Sequence, residues 1–227
     1  MSLRRAGALL AFSAVGAAVA AAQQRPDTTG PRVQHYAFYV TLPDSGVEIR
    51  GTAVISISFP ARRVDTLRLD LVGMQVDSVN ELLSMRPLPF DYDGTALRIA
   101  LPAAPAGVAV PLGAPWAIRV VWHGAPRDGL IIQPNARGRW AAFGDNWPER
   151  ARDWIPTVDD PAHKVTVRWT VSAPSGLQVV ANGRLERRTA AAGGRTVWWY
   201  SEDHPIPTYT MVIGATRMTV SERHRRG

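Results

Sequence analysis

The sequence contains no cysteine, so no disulfide framework can hold it and its stability must come from a buried core. It also lacks the arrangements that announce chemistry. None of its histidines, His35, His123, His163, His204 and His224, is followed by glutamate, so no His-Glu-x-x-His zinc motif is present. No serine stands in a nucleophile-elbow context, which leaves nucleophilic hydrolysis without support. Helical periodicity is missing too. No window longer than a few residues places apolar side chains at the 3.6-residue spacing, and almost no helix is expected. No internal repeat is found.

What the chain does have is an apolar share of 46% and eight tryptophans in 227 residues, a globular composition with length enough to bury a core. The formal net charge is +7. Basicity argues for nucleic acid only where it clusters, and here the arginines are scattered among strands, with local runs at Arg187-Arg188 and Arg223 to Arg226. A solvated surface is the better reading, and nucleic-acid binding would rest on charge alone. Met1 to Ala22 stands apart: Arg4 and Arg5 precede an apolar, Ala-rich run that ends in Ala20-Ala21-Ala22. This reads as a secretory signal peptide cut near Ala22 or Gln23, which would export the remainder to the periplasm or beyond. A retained membrane anchor is the alternative, but the run is short for a span. Residues 23–32, polar and rich in Pro and Gly, follow as a linker.

From Val33 the period becomes two. Tyr36, Phe38 and Val40 alternate with His35, Ala37 and Tyr39, and a Gly-containing turn leads into Val47 to Phe59 as the second arm of a hairpin. Gly51 within that arm suggests a bulge. Short strands then recur about every ten residues. They are expected at Leu67–Leu71, Val76–Val79, Met85–Phe90, Leu97–Leu101, Trp116–Trp122, Leu130–Gln133, Arg139–Phe143, Val165–Val171, Leu177–Ala181, Leu185–Thr189, Thr196–Ser201 and Thr208–Ile213. Arg217 to Ser221 looks like the start of another. Pro102 to Pro115 reads as a loop, and Asn182-Gly183 is the strongest hairpin signal in the chain. Regular strands with turn signals imply an all-β sandwich over residues 33–220, with 221–227 a polar tail or truncated boundary.

One stretch breaks the pattern. Phe143 to Lys164 has no period, because Gly144, Pro148, Pro156 and Pro161 interrupt any ladder, yet it carries Trp147, Trp154 and charges of both signs. A long irregular segment of this composition is an ordered loop with a task. Asp159-Asp160 could in principle form an acid–base pair. Adjacent residues rarely aim at one point, so a turn before Pro161 is the better account. Arg152 and one of the two aspartates are expected to form a partly buried, charge-assisted pair that pins the loop. His163 and Lys164 beside the aspartates make only a weak metal signal. Trp140 and Trp154 are expected to pack between sheet and loop, while Trp147 is a candidate rim for peptide or glycan.

Arg152, Pro156, Asp159, Asp160, Pro161 and Lys164 together resemble the Arg-x-x-x-Pro-x-x-Asp-x-Pro-x-x-Lys signature of the zinc aminopeptidase N family, the gluzincin metallopeptidases. The resemblance runs from about Val33 to Val220. It implies a saddle-like, antiparallel β-sandwich, a single N-terminal domain that forms one wall of the substrate cleft in the intact enzyme. The family's chemistry lies in a following catalytic domain, where zinc polarises the peptide carbonyl and activates water. No residue of this chain matches those zinc or catalytic motifs, so zinc is implied only for a catalytic domain missing from this chain, and the chain alone is expected to be inactive. In the family a Glu or Gln five residues before the signature Arg lies near the substrate's free amino terminus. Trp147 occupies that position here, and Asp145, Asn146 or Glu149 are the candidates to replace it at the substrate. The alternative is a stand-alone extracytoplasmic binding module that uses the tryptophans around Trp147 to hold glycan or peptide.

Overall fold

The computed structural model describes residues 31–58, 66–101 and 116–219. The expected signal peptide, nearly all of the linker, the loop at 102–115 and the tail at 221–227 lie outside the described residues. In chain order the strands are β1 (Arg32–Thr41), β2 (Ile49–Ser58), β3 (Thr66–Asp70), β4 (Gln75–Glu81), β5 (Phe90–Tyr92), β6 (Ala96–Ala100), β7 (Trp116–Gly124), β8 (Gly129–Pro134), β9 (Trp140–Asp145), β10 (Lys164–Pro174), β11 (Gln178–Ala181), β12 (Arg184–Ala191), β13 (Arg195–Pro207) and β14 (Ile213–Thr216). Single 3₁₀ turns span Ala151–Asp153 and Thr208–Thr210. The expected all-β class is borne out. Among the described residues no helix is long and apolar enough to cross a membrane.

Three sheets result: a seven-stranded one in the order β12-β13-β10-β1-β2-β7-β4, a four-stranded one, β11-β14-β9-β8, and a three-stranded one, β3-β6-β5. All pairings are antiparallel except β1 with β10, which run parallel and align Phe38 with Trp169. Side chains alternate across a strand, so the period-two pattern decides what faces inward. Tyr36, Phe38 and Val40 of β1, Ile55 and Ile57 of β2, Val120 and Trp122 of β7, and Val167, Trp169 and Val171 of β10 line the inner face and are buried. They join Leu67 and Leu69, Leu97 and Ile99, and Val179, Ile213 and Ala215 from the two small sheets in one hydrophobic cluster. Each fully buried apolar side chain of this size contributes about 1.5–3 kcal/mol. The aromatic rings stack at the centre, Trp154 parallel to Trp169 at 5.6 Å and Phe38 at 4.9 Å from Trp169.

Several local expectations are corrected. Asn182-Gly183 does not close a hairpin: β11 pairs with β14 and β12 pairs with β13, so these two residues carry the chain from the small sheet to the large one. Gly183 is needed there because a Cβ would lie 2.0 Å from the Ser201 carbonyl oxygen, at a φ of +81°. Gly51 marks no bulge. It faces Trp122 across β2 and β7, and a Cβ would meet that ring at 2.2 Å, so the glycine makes room for the indole. Thr208–Ile213 is a 3₁₀ turn followed by the start of β14 rather than a strand, and Arg217–Thr219 is not in a strand. Met85–Phe90 holds only a single bridge, Pro87 to Asn80, before β5.

Candidate functional site

The loop between β9 and β10 is held to the body of the protein by backbone and buried polar groups. Asp70 at the end of β3 exchanges backbone hydrogen bonds with Thr157, the Asp70 N–H donating at 2.6 Å and the Thr157 N–H at 3.1 Å. The Val72 N–H donates to the Arg152 carbonyl at 2.7 Å. The Asp159 N–H donates to Asp70 Oδ2 at 3.2 Å, and the Val158 N–H to the Tyr36 hydroxyl at 2.8 Å. Burial raises the Tyr36 phenol well above its ordinary pKa, with the charges of Asp159 and Asp70 acting in the same direction, so it stays neutral.

Asp159, not Asp160, is the partner of Arg152. Its side chain is fully buried, and Oδ2 accepts both the Arg152 backbone N–H and Nε at 3.1 Å. Oδ1 accepts the Thr208 hydroxyl at 2.7 Å, and Arg152 Nη2 donates to the Asp159 carbonyl at 2.9 Å. A carboxylate with three donors is satisfied in the interior, where an unpaired one would be expelled. Desolvation pulls the Arg152 pKa down, but the hydrogen bond and charge of Asp159, aided by Asp70 and Glu149, outweigh it and the net shift is upward. Asp160 is a turn residue, its Oδ1 accepting from the Ala162 N–H at 2.8 Å. Pro161 is exposed in that turn, Pro156 is buried, and Lys164 is exposed as the first residue of β10.

The four candidates for the substrate side separate. Asn146 is turned inward, 1% exposed: its amide donates to the Thr208 and Met211 carbonyls at 3.2 and 2.7 Å, and its oxygen accepts Trp154 Nε1 at 2.8 Å. It is therefore withdrawn as a substrate-facing side chain, because its hydrogen-bonding groups are engaged within the fold. Asp145, Trp147 and Glu149 do face outward. Trp147 is 60% exposed, standing edge-on to Tyr209 at 5.0 Å. Arg150 donates to Asp145 at 3.0 Å and to Asp128 at 3.2 Å, while Arg152 Nη2 donates to Glu149 at 2.9 Å. Both outward carboxylates are thus held by arginines rooted in the loop. Burial and the nearby Asp128 charge push the Asp153 carboxyl up, against the pull of Arg152 and Arg150.

Trp154 is buried and accepts Trp122 Nε1 on its carbonyl at 2.9 Å, whereas Trp140 is half-buried and donates to the Gly46 carbonyl at 2.9 Å. Gly129 admits the loop: a Cβ there would lie 2.0 Å from the Arg150 carbonyl oxygen. The outer face of the adjoining four-stranded sheet carries one open apolar row. Val180, Gly214, Phe143 and Ile131 form one cross-strand row, with Val180 and Phe143 each 45% exposed. Among the described residues no three His, Asp or Glu side chains are placed to hold a metal.

Fold and loop together define an all-β domain built around a pinned loop between β9 and β10. Residues 131–210, which contain that loop, match the Peptidase M1 N-terminal domain. The match covers the segment that carries the Arg152 to Lys164 signature. The M1 zinc metallopeptidase from Deinococcus radiodurans superimposes with a TM-score of 0.68 at 23% identity, over 82% of this chain and 42% of that one. Yeast LTA4 hydrolase gives 0.66 at 18% identity, over 82% and 28%. The chain thus spans well under half the length of the solved structures it matches. None of the curated proteins matches it in sequence.

Proposed function

We propose that this chain is the non-catalytic N-terminal part of an exported, zinc-dependent, aminopeptidase-like metallopeptidase. In that reading the loop from Asp145 to Asp159 forms one wall of the substrate cleft, with Trp147, Asp145 and Glu149 turned toward the peptide. The supporting observation is that three outward side chains, two of them carboxylates, sit on a loop locked by the pairing of Arg152 with the buried Asp159. A rigid support of this kind is what a binding wall requires. Zinc belongs to the proposed partner, a catalytic domain, and when bound there it supplies the Lewis acid for hydrolysis. This chain's share is to orient and to exclude water. The open apolar row through Val180 and Phe143 suits the catalytic domain as its partner.

The chain purified alone should not hydrolyse L-aminoacyl anilides with or without added zinc, and zinc-dependent turnover by the chain alone would overturn the reading. Export is tested by sequencing the amino terminus of the protein recovered from outside the cytoplasm, with cleavage next to Ala22 expected. The exposed Trp147 favours one second reading, a peptide- or glycan-binding module. Saturable peptide binding lost in Trp147→Ala, by a native protein that carries no zinc, would favour that reading instead.

A further inference from the structure

The face of the seven-stranded sheet turned away from the core has a charge pattern that the peptidase reading does not use. Three consecutive cross-strand rows run across β12, β13, β10, β1, β2, β7 and β4, centred on Tyr39, Ala37 and Thr41. No position in these rows is Asp or Glu, while Arg187, Arg184, Arg168, Arg119 and Arg50 all lie in them. Of the acidic residues nearby, Glu48, Asp77 and Glu186 sit at the margins, where they pair with Arg50, His123 and Arg184, and Asp203, two residues beyond Ser201 on β13, accepts the Ser201 hydroxyl and acts on His35 against Arg168. Arg119, Arg168 and Arg187 have no carboxylate within salt-bridge distance among the described residues. Arg187 Cζ lies over the Trp199 ring, 4.0 Å from its centroid. Tyr39, 46% exposed, stands between these arginines, and hydroxyls of Thr52 and Thr170 flank it in the same row.

We propose that this face binds a linear acidic polysaccharide, one bearing carboxylates or sulfates at intervals along a hydroxyl-rich chain. Charge complementarity selects an anion, and spacing selects the kind. Strands lie about 4.8 Å apart, so Arg168 and Arg119, three strands apart, are separated by roughly 14 Å at the backbone. Duplex DNA presents one charge per about 1.7 Å and calls for densely packed cations. A glycan charged once per sugar or two, with hydroxyls between, fits arginines dispersed among threonines and one exposed phenol. The inference stands independently of the peptidase reading.

The test is calorimetric titration of the full chain with a heparin-derived hexasaccharide, a guluronate hexasaccharide and a short DNA duplex, each over the same series of salt concentrations. Saturable binding to either glycan is expected, and the two glycan arms separate sulfate from carboxylate recognition. Arg119→Ala and Arg168→Ala should each weaken it about tenfold, and the slope of affinity against salt should fall by about one per arginine removed. Arg137→Ala, in the turn between β8 and β9, should leave it unchanged. Absence of saturable glycan binding, equal weakening by Arg137→Ala, or tighter binding to the duplex would overturn the proposal.

Discussion

Asp159 is the residue on which the loop's conformation turns. It is fully buried and takes Arg152 on one oxygen and Thr208 on the other. Replacing it with Ala leaves Arg152 and Thr208 without their acceptor, which should cost about 3 kcal/mol. Arg152→Ala should cost at least as much, about 3–4 kcal/mol, because it leaves the fully buried Asp159 carboxylate without its counter-charge. Asp160→Ala should stay within about 0.5 kcal/mol. Urea unfolding of the three variants checks the order, and equal stabilities would show that the pair does not hold the loop. The pairing was legible from the Arg152 to Lys164 signature, but the choice between neighbouring aspartates was not, since both precede Pro161. The groups that make the choice come from afar. Thr208 is 49 residues from Asp159, Asp70 is 89, and Tyr36 is 122 from Val158. No local pattern encodes such contacts. Asn146 misled for the same reason: next to the exposed Trp147 it reads as a surface residue, while its partners Thr208 and Met211 lie in a later segment.

At the scale of elements, alternation of apolar and polar residues located most strands, because a half-buried strand must show one face to the core. Which strands pair is a different matter. The parallel pairing of β1 with β10 joins segments more than a hundred residues apart and leaves no signature in either. The turn chemistry of Asn182-Gly183 suggests a hairpin, yet the glycine is there for close approach to Ser201. Glycine replacements distinguish these causes. Gly193→Ala, with open space around it and φ +71°, should cost about 1–2 kcal/mol. Gly51→Ala drives a methyl into the Trp122 ring and should cost about 2–3 kcal/mol. Gly183→Ala adds a backbone clash to an unfavourable φ and should be the worst of the three by thermal melting. The four-stranded sheet carries a prediction of another kind. Phe143→Asp should leave the melting of this chain alone within about 0.5 kcal/mol, but should lower the melting temperature of a native polypeptide in which that face is covered. Equal behaviour in both would remove the apolar row as a docking face.

For the molecule as a whole, two half-buried histidines make stability fall with acid. Burial lowers the pKa of His163 below 6.5, with Arg32 adding to the shift and Asp160 opposing it; burial and Arg168 do the same for His35, against Asp203. Both favour the neutral ring in the folded state, while the unfolded chain takes up protons near 6.5. Their contribution is therefore complete above that value and is lost as the pH falls through it toward their lower folded values. Asp153, whose pKa is raised, acts in the opposite sense but only above its ordinary 3.8, so it offsets part of the loss at lower pH. The melting temperature should drop between about pH 7.5 and 5.5, and His163→Asn should flatten that slope. A slope unchanged in the variant would exclude His163 as a source.

The proposed role makes this domain a wall of a zinc peptidase whose chemistry lies in another domain. The most direct measurement is to isolate the native polypeptide with an antibody to the domain, then determine its mass, its zinc content and its hydrolysis of aminoacyl anilides. The account predicts stoichiometric zinc and zinc-dependent aminopeptidase activity, either in one polypeptide more than twice the length of this chain or in a second polypeptide bound tightly to it. A lone chain of about this size, free of zinc, of partner and of peptidase activity, would contradict it.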